Sequence, residues 1–202
     1  VRMALDAGAW VVPTETLMEN LAAARLDLPG LLERPQNAWL PPELMRDYRR
    51  RLERLANDDF DPRAFLDVRK RLIGALQRGG VPILLGSDAP QLMNVPGFSV
   101  HRELEALVAA GLTPWEALAA GTVNPAAFLG ESGRAGVIAE GAEASFLVLR
   151  ADPLARIGNT RAIEGVMVRG RWLDRAFLDA QLTAIRARYE ARRDSGDRPG
   201  PG

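Results

Sequence analysis

The sequence has 202 residues, 47% of them hydrophobic, enough to bury the core of one domain or slightly more. Its 26 basic residues balance 26 acidic ones, so no long-range field draws in nucleic acid or an anionic membrane, and neither is expected as a partner. Cysteine is absent, which excludes disulfides, thiolate metal sites and cysteine nucleophiles, and a single histidine, His101, is a meagre supply of transition-metal ligands.

No apolar run approaches the roughly 18 residues needed to cross a bilayer, and Val1 opens into Arg2-Met3-Ala4-Leu5 without a signal-peptide pattern. The lack of an initiator methionine suggests a start further upstream and leaves the compartment open. In chain order, the first element is Ala9-Trp10-Val11-Val12-Pro13-Thr14, an apolar run after Gly8 stopped by proline, as expected of a buried strand. Glu15 to Ala24 follows a helical pattern. Pro29, Gly30, Pro35, Pro41 and Pro42 then predict a long connection of the lid or insertion type. Pro42 to Ala56 is a charged helix with Leu44, Tyr48, Leu52 and Leu55 on one stripe.

Asp61-Pro62 supplies an N-cap and a first-turn proline for an amphipathic helix through Phe65, Val68, Leu72, Ile73 and Leu76, ending at Gly79-Gly80. Val81-Pro82-Ile83-Leu84-Leu85 is a continuously apolar strand, and Gly86-Ser87-Asp88-Ala89 forms its polar tip. Helix, double glycine, strand and tip make a β/α unit of a parallel sheet or barrel. Ser99 is placed to cap a helix running to about Ala110. Thr113-Pro114-Trp115-Glu116 is a capping box, and Asn124-Pro125 opens another helix. Ser145 to Leu149 and Ile163 to Val168 read as strands. Leu173 to Ala191 is helical, and Arg192 to Gly202 is a Pro/Gly-rich charged tail expected to be disordered.

A carboxylate just beyond the C-terminal end of a buried parallel strand occupies the place where α/β folds build active sites. Asp88 is there, although from the tetrapeptide Gly86-Ser87-Asp88-Ala89 alone a turn or helix-cap aspartate is the favoured reading. His101 lies in the first turn of a helix, where a partly exposed surface residue and a substrate-cleft residue are equal readings. Glu103 is expected to stabilise the N-terminus of its own helix rather than bind a cation. Trp10, Trp115 and Trp172 read as packing residues, and the clusters at Arg49 to Arg51 and Arg186 to Arg193 as solvated helix faces.

Five segments occur in a telling order: Gly80 to Ala89, then Pro96-Gly97-Phe98-Ser99-Val100-His101-Arg102-Glu103-Leu104, Ala110 to Leu118, Gly121-Thr122-Val123-Asn124-Pro125-Ala126 and Gly136 to Gly141. This order resembles the amidohydrolase superfamily, specifically its imidazolonepropionase-like branch, in which a strand-eight Gly-Thr-Asp precedes an His-x-Glu-Leu helix. The resemblance covers about Gly8 to Asp179. It implies an α/β fold, a partial (β/α)8 TIM-type barrel plus part of a small C-terminal β-sandwich subdomain. Residues 1–135 would be barrel, 136–172 part of the composite β subdomain, and 173–202 a C-terminal helix and tail. Trp10 to Thr14 would be strand seven and Val81 to Leu85 strand eight.

The resemblance also implies a role: Asp88 as metal ligand and catalytic proton carrier, and His101 as a substrate-binding residue. The cofactor implied is a divalent metal, zinc being the expected ion, with one or two ions in the whole enzyme. The family's His-x-His pair on strand one, its two later histidines and its carboxylated lysine have no counterparts here, since Lys70 lies mid-helix before strand eight. The sequence therefore reads as the C-terminal portion of an enzyme hydrolysing C–N bonds of cyclic or peptide-like amides. Alone it is expected to be inactive. The family's Gly-Lys-x-Ala-Asp reads Gly141-Ala142-Glu143-Ala144-Ser145 here, a departure in the β subdomain, away from the chemistry. A small-molecule substrate and self-association are the partners expected. The alternative is a non-catalytic scaffold keeping half of the fold. A nucleotide-binding domain is disfavoured because no glycine-rich phosphate loop follows either strand.

Overall fold

A parallel bridge between Val11 and Ile83 joins the first segment of the chain to the run that ends at Asp88. The computed structural model describes residues 1–57 and 59–194. Helix α1 (Arg2–Asp6) leads into an extended segment whose Val11 N–H donates to Pro82 O at 3.0 Å, while Leu84 N–H donates to Val11 O at 2.8 Å. The two runs thus lie side by side and parallel, through a single bridge. Val81 and Ile83 are almost fully buried, whereas Val12 is 47% exposed. The buried strand expected at 9–14 is therefore a half-buried extended segment: apolar side chains are covered on both faces only where layers lie against both.

Helix α2 (Glu15–Leu26) follows at once. The long connection expected after it is largely helical, built from α3 (Leu28–Leu32), a 3-10 turn at Pro35–Trp39 and α4 (Pro42–Leu55). Its prolines do not break these turns, because each element carries its proline at the first or second position, where no intrahelical donor is needed. Helix α5 (Pro62–Arg78) starts as its sequence signals require, with Asp61 Oδ1 accepting from Arg63 N at 2.9 Å and Ala64 N at 3.1 Å.

After the 81–85 run come α6 (Ser99–Ala109), α7 (Pro114–Ala120) and α8 (Val123–Phe128). Thr113 and Glu116 form the reciprocal capping box expected of them. Ser99 does not cap α6. Phe98 holds that position without a side-chain bond, and the Ser99 hydroxyl instead pairs with Ser87 Oγ at 2.8 Å. Helices α5 and α6 meet closely at Gly74, where a Cβ would lie 2.5 Å from Ala110 O.

Strands β1 (Phe146–Leu149), β2 (Ile163–Val168) and β3 (Arg171–Asp174) form an antiparallel meander, with Phe146 opposite Met167 and Val166 opposite Leu173. A 3-10 turn at Ile157–Arg161 precedes β2. The last helix, α9, spans Arg175–Asp194. Leu173 and Asp174 thus belong to a third strand rather than to the helix. Arg192 to Asp194 extend the helix rather than start a tail, since the alanine- and arginine-rich segment carries no breaker before Gly196. The rest of the predicted tail, 195–202, lies outside the described residues.

Two apolar clusters carry the core. One gathers Ile73, Ile83, Leu104, Leu107, Leu112, Ala117 and Ile157; the other joins Leu31 and Leu40 to Tyr48 and Leu52 of α4 and to Met93 and Val95 of the loop after residue 88. The second fastens the connection onto the loop that bears Asp88. The architecture is mixed α and β.

Candidate active site

Asp88 projects from the end of the 81–85 run, exposed and with a left-handed backbone, φ 54°. Its position is set by the loop around it. Asp88 O accepts from Gln91 N at 3.1 Å and its Oδ2 from Gln91 Nε2 at 2.9 Å. The residue before it is pinned twice, Ser87 O accepting from Asn94 Nδ2 and Ser87 Oγ pairing with Ser99 Oγ. The Asn94 side chain is in turn tied to α2, its Oδ1 accepting from Asn20 Nδ2 at 2.9 Å. An accessible carboxylate thus stands on a loop anchored by the buried Asn94 and Ser99, the placement a reacting group needs.

Asn20 is the hub of this framework. Its fully buried amide also donates to Leu92 O at 2.9 Å, and its Oδ1 accepts from Arg34 at 2.7 Å and Arg102 at 3.1 Å. Arg102 is balanced by Glu19 at 2.6 Å. Burial, and then the adjacent Arg102, bring the Arg34 guanidinium down to about 10.

Glu103 is fully buried, and its place corrects the expectation from sequence. Instead of its own helix it caps α2, its Oε1 accepting from Glu15 N at 2.7 Å and its Oε2 from Thr16 N at 2.8 Å and Thr16 Oγ1 at 2.9 Å. Thr14, in the cap position, has φ 53° and makes no side-chain cap bond, so the carboxylate from α6 meets the orphan amides and the positive end of the helix. Burial pushes the Glu103 carboxyl upward despite these bonds. Burial also raises Glu15, against the opposing pull of Arg69, whose Nε lies 2.5 Å away.

His101 faces elsewhere. Its Nδ1 is 3.0 Å from Thr160 Oγ1, and that hydroxyl donates to Ile157 O at 2.9 Å, so the imidazole donates through Nδ1 and presents Nε2 as an acceptor. Burial, and then Arg161, lower its pKa and favour the neutral ring. It lines a largely apolar cavity of about 450 Å³ between α6, β2 and α9, with Phe98, Ile163, Val166 and Leu178 among the walls. Asp88 does not line this cavity.

The supporting residues Gln91, Asn94 and Asn20 escape a reading of the sequence alone. The signal present was a short polar loop, Gln91-Leu92-Met93-Asn94, between the strand tip and the next helix. Among the described residues no group of three or more His, Cys, Asp or Glu side chains could hold a metal ion. Among the described residues Asp88 is therefore in no such group, whereas a catalytic zinc site takes roughly three protein ligands.

Comparison with known proteins decides the family: the model of the Amidohydrolase family matches residues 1–173. The chain belongs to the amidohydrolase family. Amidohydrolases generally use divalent metals. Among solved structures, the bottromycin amidohydrolase is similar to this amidohydrolase chain at 22% identity and a TM-score of 0.71, over 90% of this chain and 40% of that one. A Xaa-Pro dipeptidase with bound methionine in its active site gives 18% and 0.60 over 86% and 36%, and a putative prolidase from Bifidobacterium longum 26% and 0.52 over 88% and 39%. The first two likenesses concern the fold. The chain spans about two fifths of the length of these structures. No curated protein sequence matches it.

Proposed function

We propose that this chain is the C-terminal portion of a metal-dependent amidohydrolase acting on C–N bonds of cyclic amides or small peptide-like amides, with Asp88 as its contribution to the reacting centre. The parallel pairing of Val11 with Ile83 supports reading the two runs as the last strands, seven and eight, of a (β/α)8 barrel. The observation that carries the proposal is Asp88 itself, an exposed carboxylate at the tip of the second run on a loop pinned by Asn94, Ser99 and Gln91. In such an enzyme a divalent ion, zinc being the candidate, supplies an acidified water. The carboxylate accepts the proton of the attacking water and returns it to the leaving nitrogen, which an amide side chain cannot do. The other metal ligands lie outside this chain, so the 202 residues alone are inactive and bind no zinc stoichiometrically. His101, in its separate cavity, is proposed as a substrate contact only for a ligand long enough to reach past Phe98.

The test is metal analysis of the full-length protein together with a hydrolysis screen over lactams, hydantoin-like rings and dipeptides. Bound divalent metal and turnover of at least one class are expected. A full-length protein without metal and without turnover would leave the scaffold reading in its place.

A further inference from the structure

The C-terminal end of α4 and the loop after Asp88 enclose a cleft of about 450 Å³ lined by Arg51, Arg54, Leu55, Gln91 and Leu92. Two guanidinium groups, an amide and two leucines form its walls, and no carboxylate is among them. The cleft is not an accident of a loose helix. Leu52, between the two arginines, is fully buried, Tyr48 one turn earlier donates to Pro90 O, and both pack with Met93 and Val95. Asp88 is one side chain away, because Gln91, which lines the cleft, donates its Nε2 to Asp88 Oδ2 at 2.9 Å.

Charge sets the chemistry of the occupant. Arg51 shares the single carboxylate of Asp47 with Arg50, at 2.7 and 3.5 Å, and Arg54 has no ion pair among the described residues. The cleft therefore carries excess positive charge, which suits an anion, and the planar fork of the Arg54 guanidinium suits a carboxylate. The leucines give the carbon skeleton of the ligand an apolar surface, and the volume lies within the range of small-molecule sites.

We propose that this cleft is an anion subsite in which Arg54, flanked by Arg51 and Gln91, selects amide substrates bearing a free carboxylate. The proposal rests on the reading of Asp88 as the reacting carboxylate, since only then does the cleft adjoin the scissile bond. It narrows the substrate class from small amides in general to acidic ones, such as N-acyl amino acids or dipeptides.

The experiment is calorimetric titration of the metal-free full-length protein with N-benzoylglycine and with its uncharged counterpart N-benzoylglycinamide. Removing the metal prevents the carboxylate from binding there instead. The acid should bind at least 10-fold more tightly than the amide. Arg54→Gln should abolish that preference, Arg54→Lys should retain part of it, and Asp88→Asn should leave it intact. Because Arg54 is exposed, its variants fold, which a thermal melt verifies. Equal binding of the two probes, no binding of either, or a preference that survives Arg54→Gln overturns the proposal. Turnover of N-benzoylglycine by the metal-loaded enzyme is read separately. Preference without hydrolysis of any amide supports the subsite and counts against the hydrolase reading, whereas hydrolysis without preference does the reverse.

Discussion

The framework beneath Asp88 and the C-terminal sheet solve opposite problems. In the framework, buried polar groups find partners within the chain: Asn20 joins four groups from three segments, and Glu103 closes both leading amides of α2. The sheet has its backbone ladder, yet several of its apolar side chains stay uncovered. Phe146, Leu147, Val148, Val168 and Trp172 are exposed, and α9 has no buried residue. Hydrogen bonds are short-ranged and can be completed by a few neighbours, whereas burial of a face needs a second layer. The difference assigns the framework to positioning Asp88 and marks the sheet as the region whose stability leans least on its side chains.

The largest effect expected is chemical. Asp88→Asn in the complete enzyme should lower kcat by about 10²- to 10⁴-fold, the usual share of a positioned acid–base group, with an unchanged melting temperature because the side chain is exposed. Near-normal turnover would remove Asp88 from the reacting centre and leave the framework without a function to support.

The next largest effect strikes the framework. Glu103→Ala strands two backbone N–H groups and the Thr16 hydroxyl in a buried setting, at a cost of about 3 kcal/mol or more measured by denaturant unfolding. The pH dependence follows from the raised pKa values of Glu103 and Glu15. Between the usual 4.5 of the unfolded carboxyls and the higher folded values, the folded state binds more protons than the unfolded one. Stability from these groups is therefore full below pH 4.5 and falls as pH rises through the folded values. Glu103→Gln should flatten this decline. An unfolding free energy that rises over the same window in the parent, with no change in slope in the variant, would show that the capping bonds outweigh desolvation.

How much of this could be read in advance divides along the same line. Helix α5 and the α7 capping box were legible because Asp61, Pro62, Thr113 and Glu116 act on residues two to four positions away. Asp88 lies exposed at the end of the 81–85 run, although that run pairs through a single bridge rather than as the strand expected. Glu103 was misread because the donors its carboxylate accepts from lie on α2, 87 and 88 residues earlier, and no local pattern encodes that meeting. Asn20 was missed for the same reason, its partners Leu92, Asn94 and Arg102 lying 72, 74 and 82 residues later, whereas Gln91 and Asn94 bond within their own loop, whose conformation no repeat in the sequence encodes. The connection after α2 was misjudged because prolines at first-turn positions look the same in sequence as prolines that break a helix. On the sheet, β2 matched its apolar run while β3, half charged, went unseen, since Arg171-Trp172-Leu173-Asp174 lacks any alternation long enough to count.

Within the sheet a smaller effect is expected where packing is close. A Cβ on Gly165 would fall 2.2 Å from Trp172 Cζ2 and 3.0 Å from Leu173 O. Gly165→Ala must displace the indole from across the strand pair, which should cost about 1–3 kcal/mol, read as a lower melting temperature with a larger intrinsic fluorescence change on denaturation. A neutral outcome would mean that Trp172 is mobile over the strand, and that this close contact is loose.

The smallest effect sharpens the comparison most directly. Leu147 lies mid-strand in β1 opposite Val166 and is half exposed. Leu147→Thr introduces a β-branched side chain suited to a strand and removes apolar surface that the described residues leave half open, so the unfolding free energy of the 202-residue chain should change by no more than about 0.5 kcal/mol. Binding of an apolar fluorescent dye and self-association should both fall, because they report the uncovered face rather than the core. In the full-length protein the same substitution should cost several times more if a second layer covers β1, since a leucine side chain buried there contributes about 1.5–3 kcal/mol. The ratio of the two costs measures how much of the sheet is completed by the rest of the enzyme. A ratio of one would mean that the face stays open in the whole protein, and that the contrast with the self-contained framework around Asp88 is a property of the enzyme itself.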